Sequence, residues 1–377
     1  MIAIVLGALL GGVTPMPVVR LFATFNGIFG NFLQFLIPLI IVGLVTPAIA
    51  DVGKGVGVML VATVLIAYGD TVVAGLLSFF TASNVFPALI DGGKDLVVDA
   101  GESRALPFFS IEMPPLMDVM SALVLALIMG IGIAFFVSAR LKEIFEEFRQ
   151  IVVRTIEVVV IPLLPVYIFG IFLIMAREGQ VARVIGVFAW VIVVIFALHV
   201  LLLLLQYVVV GLLTGRNPLR LLWRMLPAYF TALGTSSSAA TIPVTLKAAQ
   251  SNGVSREVAG FVIPLCATIH LSGSCLKITA CAVALMLMRG MPFEAGMFVG
   301  FVLLLGVMMV AAPGVPGGAI MAALGVLGSV LGFGEEEEAL MIALYIAMDS
   351  FGTACNVTGD GAIAVVIERF FNKEGRV

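Results

Sequence analysis

Runs of apolar residues as long as a bilayer is thick recur along this chain, at residues 120–137, 187–205 and 262–288 among others. A helix needs about 20 such residues to cross the hydrocarbon core, where every backbone N–H and C=O must find a partner inside the protein. The chain is therefore expected to fold as an all-α integral membrane protein. Composition agrees, with 62% of the 377 residues hydrophobic and 11% charged, against about 25% charged in soluble domains. The net charge of −3 says little, because in a membrane protein the position of each charge is what counts. Nothing points to nucleic acid.

Cys266, Cys275, Cys281 and Cys355 lie in apolar or glycine-rich surroundings without metal-ligand or disulfide spacing, and read as small packing residues. His199 and His270 form no HExxH-like pair, which speaks against a zinc enzyme. The apolar N-terminus, residues 1–12, lacks a basic flank and reads as a first, short membrane helix whose start is open to truncation, not as a cleaved signal.

Hydropathy and turn signals give eight spans, at residues 1–13, 19–50, 56–80, 115–137, 152–176, 185–213, 255–288 and 338–371. A polar stretch at residues 86–114, with Asp91, Lys94, Asp95, Asp99, Glu102 and Arg104, belongs in an aqueous loop. Residues 225–251 and 298–331 behave differently. Each has apolar arms around a tip rich in helix breakers, Gly234-Thr235-Ser236-Ser237-Ser238 in the first and Ala312-Pro313-Gly314-Val315-Pro316-Gly317-Gly318 in the second. Two re-entrant helical hairpins are expected, because irregular backbone at membrane depth must be buried in protein or line a watery cavity. The alternative is a pair of ordinary helices joined by a surface turn.

Each hairpin precedes a long apolar segment interrupted by polar residues, at His270-Leu271-Ser272-Gly273-Ser274 and from Asp349 to Asp360. Interrupted membrane helices at matching places in two repeats point to a midplane binding site. With a cytoplasmic N-terminus, thirteen of the twenty Lys and Arg face the cytosol and six face outward, while Lys277 lies within the membrane. That bias obeys the positive-inside rule and predicts a multi-pass protein of the cell membrane with both termini cytoplasmic. It also sets the acidic run from Glu335 to Glu338 outside, as a solvated helix start.

Charged groups deep in a bilayer are costly and mark function. Asp349 and Asp360 are eleven residues apart, about three helical turns, so a continuous helix would put them on one face. Asp360 ends the cluster Asn356-Val357-Thr358-Gly359-Asp360, a set of hard oxygen ligands suited to a small alkali cation. The bland alternative is that Asp360 caps a broken helix. The serine tip offers hydroxyls and helix N-terminal N–H groups, which suit a carboxylate. Glu157 is expected to snorkel to the interface, and His199 to be a packing or hydrogen-bonded histidine.

At these residues the chain resembles the glutamate-transporter homologue family, the dicarboxylate/amino acid:cation symporters. Gly234-Thr235-Ser236-Ser237-Ser238-Ala239-Ala240-Thr241-Ile242-Pro243-Val244-Thr245 is similar to the first-hairpin motif, Gly314-Val315-Pro316-Gly317 to the second, and Asn356-Val357-Thr358-Gly359-Asp360 to the cation motif of the eighth helix. The resemblance implies eight transmembrane helices plus two hairpins in inverted repeats, and a homotrimer working as an elevator. Residues 1–114 would hold scaffold helices 1 and 2, the start of the transport domain and an outer loop; residues 115–184 scaffold helices 4 and 5; residues 185–377 the rest of the transport domain. The implied solute is a small amino acid, acidic or neutral, or a related carboxylate, coupled to sodium, protons or both.

By position, the resemblance implies that Asp349 holds a solute ammonium group, with Ser236, Ser237, Ser238, Ser274, Lys277, Val315, Gly317, Gly352, Thr353 and Asn356 around the solute. It implies cation ligation by Asp360, Asn356, His270, Cys266, Thr268, Tyr68, Asp70 and Thr71. Departures matter too. His270-Leu271-Ser272-Gly273-Ser274 replaces a family motif that carries a carboxylate, and Asp70 with His270 is expected to stand in for it, unless Asp70 merely faces a watery crevice. Gly352 stands where acidic-solute members place an arginine. Lys277 either supplies that charge to the solute or neutralises a buried aspartate. The competing function is an ion or anion channel on the same architecture. An enzyme has no support, since neither histidine has an obvious serine partner with an orienting carboxylate.

Overall fold

A computed structural model describes residues 2–52, 58–90, 106–136, 139–177, 179, 181–312 and 316–371. Outside these lie Lys54, the charged residues of the expected aqueous loop from Asp91 to Arg104, and Pro313, Gly314 and Val315 of the second tip. The described chain is all α. In order the helices are α1 Ile2–Leu10, α2 Met16–Val52, α3 Val58–Leu89, α4 Val119–Phe136, α5 Ala139–Thr155, α6 Ile161–Arg177, α7 Val181–Thr214, α8 Pro218–Thr235, α9 Ser238–Ser251, α10 Arg256–Ile269, α11 Ser272–Arg289, α12 Ala295–Ala311, α13 Gly318–Leu331, α14 Glu335–Ala347 and α15 Asp349–Phe371. A π-turn at Ile156–Val160 joins α5 to α6 and carries Glu157, which pairs with Arg154 at 3.5 Å.

Among the described residues, six helical segments are long and apolar enough to cross a membrane: Met16–Ala50, Val58–Leu89, Arg140–Arg177, Val184–Thr214, Arg256–Arg289 and Asp349–Phe371. Helices α1, α2, α4, α5 and α6 pack largely on one another, and α3 packs on α7, α10, α11, α12 and α15; α2 also touches α12 and α13, α4 touches α13, and α6 touches α7 and α14.

Local chemistry sets the helix ends of the first pair. Asn217 Oδ1 accepts from Arg220 N at 3.1 Å, with Pro218 at the first helical position of α8. At the tip between α8 and α9, Ser236 takes a left-handed φ of 50° and Ser237 Oγ caps α9 by accepting from Ala240 N at 3.3 Å. Two residues thus reverse the chain. In the second pair the described tip residue Gly317 has φ +75°, a backbone state that glycine adopts at no steric cost.

The pattern of a helix pair followed by a broken helix occurs twice, as α8/α9 then α10–α11, and α12/α13 then α14–α15. The first break falls at His270 and Leu271, as expected. The second does not fall in the Asn356–Asp360 cluster: α15 is continuous from Asp349 to Phe371, and the break is at Met348. The hydroxyls of Thr353 and Thr358 bond to carbonyls of their own helix, Asp349 O at 3.0 Å and Ala354 O at 2.8 Å. Gly359 is used for close packing and not for bending, since a Cβ there would lie 2.7 Å from His270 Cε1. The acidic run also differs from a fully solvated helix start. Glu338 is buried and accepts from Gln34 Nε2 at 3.3 Å, while Glu337 caps α14 through Gly334 N.

Candidate transport site

Breaking a helix leaves orphan N–H and C=O groups that must be satisfied at once in a buried setting. At the start of α11, Asn356 Oδ1 accepts from Gly273 N at 2.8 Å and Ser274 N at 3.3 Å, and Asn356 Nδ2 donates to Ser274 Oγ at 3.2 Å. A side chain of α15 therefore caps α11. At the other break, the ammonium of Lys277 donates to Tyr345 O and Met348 O, each at 3.3 Å, and lies 3.4 Å from the centre of the Tyr345 ring. A cation at a helix C-terminus is favoured by the macrodipole, and the ring face adds to it.

Asp349 opens α15. Its Oδ2 accepts from Gly317 N at 2.8 Å, and its Oδ1 lies 3.6 Å from Lys277 Nζ. One carboxylate thus ties the second tip, α11 and α15 together. Gly352 faces the same ammonium, because a Cβ at that position would lie 3.1 Å from Lys277 Nζ. Ser274 Oγ is 3.1 Å from the Tyr345 hydroxyl. The helices of the first tip, α8 and α9, pack on α15; the hydroxyls of Thr235 and Ser237 bond within the tip and not to the cluster, and Ser238 is buried. Val315 lies outside the described residues.

His270 forms a second centre. Its Nδ1 is 2.8 Å from Asp360 Oδ1 and its Nε2 is 2.8 Å from Asp70 Oδ2, so the imidazole bridges α3 and α15. Gln206 Nε2 donates to Asp70 Oδ2 at 2.6 Å and contacts Ser272 Oγ at 3.3 Å. Asp360 is buried, and its Oδ2 has no hydrogen-bond partner among the described groups. Other residues of the expected cation set are engaged elsewhere. Cys266 O accepts the backbone N–H of His270 at 2.9 Å, Thr71 Oγ1 donates to Ala67 O at 2.8 Å, and Tyr68 OH donates to Leu303 O at 3.2 Å. Thr268 is exposed, bonds to Leu265 O at 2.8 Å, and lines a separate cavity of about 180 Å³ beside Ala311 and Ala312.

Three residues of these centres escape a reading of the sequence. Gln206 follows five leucines and is the lone amide of α7; Tyr345 precedes Asp349 by four residues; Tyr207 donates to Thr358 O at 2.8 Å. A polar side chain inside an apolar run was the signal in each case. His199, by contrast, is buried with Nε2 3.1 Å from Gly273 O, the hydrogen-bonded histidine expected.

Sequence comparison adds relatives of known kind. Excitatory amino acid transporter 3 of Mus musculus is 28% identical over 239 residues, 62% of this chain and 45% of the relative. Excitatory amino acid transporter 1 of Rattus norvegicus is 28% identical over 239 residues, 62% and 43% of the two chains. Excitatory amino acid transporter 2 of Homo sapiens is 30% identical over 197 residues, 52% and 33%. The matched region spans less than half the length of these relatives. The family match runs from residue 1 to residue 370, through both helix pairs and both broken helices, so this chain belongs to the sodium:dicarboxylate symporter family, a family of transporters and not of enzymes.

Proposed function

We propose that the protein is a secondary active symporter for a small amino acid or related carboxylate, driven by sodium, protons or both. The observation that carries this reading is the meeting of the two broken helices: Asn356 of α15 caps α11, Lys277 of α11 caps α14, and Asp349 holds the second tip through Gly317 N. Interrupted helices from two repeats, with N-termini and freed carbonyls facing one centre, are the architecture of a coupled binding site. On this reading α3 and α7 to α15 form a transport domain, α1, α2 and α4 to α6 a scaffold, and the two repeats are inverted. Eight spans and two hairpins, a homotrimer, elevator motion, a cell-membrane location and cytoplasmic termini belong to the same proposal.

The coupling centre we assign to Asp70, His270 and Asp360. Two N···O contacts of 2.8 Å on one imidazole need two protons among three groups, whichever atoms carry them. That supports protons as a coupling ion beside sodium. The unpartnered Asp360 Oδ2 is the atom nearest in character to a cation ligand. Purified protein in sealed vesicles, given an imposed sodium or proton gradient, should concentrate a labelled carboxylate above its outside level. Conductance without accumulation would instead identify a channel.

A further inference from the structure

The ammonium of Lys277 has no exposed surface. A lysine head carries three donors and no acceptor. Around this one stand two carbonyl oxygens at 3.3 Å, the Asp349 carboxylate at 3.6 Å and the face of the Tyr345 ring at 3.4 Å. Every one is an electron-rich partner, so the group is held as a cation and its donors are spent on the protein. It has none to offer a carboxylate of the solute.

Asp349 is equally committed. Oδ2 accepts from Gly317 N and Oδ1 faces Lys277, so the negative charge at the head of α15 is already balanced by a positive one on α11. An ammonium group brought by a solute would have to displace one that is covalently tethered, and a short tether presents its group at an effective concentration of order millimolar or above. Displaced, the lysine head would leave two carbonyls and a ring face for a buried wall, and an unpaired buried charge is strongly penalised. Space agrees with charge, because any side chain at position 352 would crowd the head: a Cβ there would stand 3.1 Å from Nζ and 3.4 Å from Cε.

We propose that Lys277 is a specificity-determining residue, a built-in ammonium that occupies Asp349 where a solute amine would otherwise bind, so that the site selects carboxylates lacking an α-amine. The inference rests on the symporter reading above and names its solute class. What remains for the solute is mainly donor chemistry, the N–H groups at the heads of α9 and α13 and the serine hydroxyls at the head of α9, which suits a carboxylate and offers an amine no carboxylate of its own.

Two matched pairs test it, succinate against L-aspartate and propionate against L-alanine, each differing by one amine. Binding is read on purified full-length protein by calorimetry, with thermal protection as a second measure. The wild type should favour the amine-free member of at least one pair by tenfold or more, and Lys277→Met should erase or reverse that preference by freeing Asp349. Gly352→Ala keeps the lysine but crowds its head, and should narrow the preference in the same direction; it serves if Lys277→Met does not fold. Adding Asp349→Asn to Lys277→Met should remove the gained amine binding. Tighter binding of the amino acids by the wild type, or an unchanged ratio in both variants, overturns the inference and leaves the symporter reading intact. If neither pair nor any other carboxylate binds, both fail.

Discussion

His270 Nδ1 stands 2.8 Å from Asp360 Oδ1, joining the break between α10 and α11 to the middle of an uninterrupted α15. The contact explains how α15 can carry a carboxylate at its buried centre without bending. The imidazole comes to Asp360 from the kinked chain at His270, and the glycine at 359 lets it approach. Its far nitrogen reaches Asp70, so a single ring aligns two acids from helices far apart in sequence.

Ion-coupled uptake should therefore fall together in Asp360→Asn and Asp70→Asn, by about tenfold or more if each removes one bond of about 1.4 kcal/mol to a charged group. Initial uptake rates under imposed sodium and proton gradients, on protein whose folding is checked by gel filtration, measure this. Asp70→Asn that keeps wild-type dependence on both ions would remove Asp70 from the coupling centre.

Gly359→Ala should disturb the same centre sterically. Its Cβ would lie 2.7 Å from His270 Cε1 and 3.2 Å from Gln206, and overpacking of this kind costs about 1–3 kcal/mol. The variant should melt earlier than the wild type and lose uptake, whereas Gly234→Ala, with no atom near the new methyl group, should change neither as much.

Much of this arrangement is legible from residue types alone. Asp349, Asp360, Asp70, His270 and Lys277 stand out because charge in an apolar run demands a partner, and the structure pairs all five among themselves. Less legible is which member pairs with which. Lys277 had two readings, and only the carbonyls of Tyr345 and Met348 at the α14 break show where its donors go. That break itself has no glycine or proline to announce it, since Met348 is held by a lysine from another helix. The opposite error concerns Asn356 to Asp360, where polar and glycine residues suggested a break. The Thr358 hydroxyl bonds back into the helix, and Gly359 serves a neighbour. Tertiary contacts, invisible in one helix's sequence, decided both cases.

Ser237→Ala removes the side-chain cap of α9, whose Oγ accepts from Ala240 N at 3.3 Å. Loss of such a cap costs about 0.5–2 kcal/mol. Ser236 beside it already adopts a left-handed backbone, so the tip has little redundancy. The expected result is a modest loss of stability with a larger loss of carboxylate affinity, because the orphan N–H groups at the head of α9 lose their positioning. Calorimetry on Ser237→Ala and Ser237→Thr separates the two: threonine should keep the cap and most of the affinity. Equal affinity in wild type and alanine variant would show that the tip plays no part in holding the solute.

Asn356 offers the sharpest division between building the site and filling it. Its amide oxygen satisfies two orphan N–H groups of α11, and its NH₂ reaches Ser274 Oγ. Removing it strands buried donors, each costing about 1–3 kcal/mol, so Asn356→Ala should destabilise the protein with no solute present. Thr358→Ala is the matched control two residues away, because its hydroxyl bonds only to Ala354 O of the same helix in the structure, and its loss should cost about 1 kcal/mol or less. Denaturation followed without solute measures the first effect, and binding in the surviving folded fraction measures the second. If Asn356→Ala unfolds no more easily than Thr358→Ala yet fails to bind, the amide acts on the solute and not on the helix, and the capping role assigned to it is wrong.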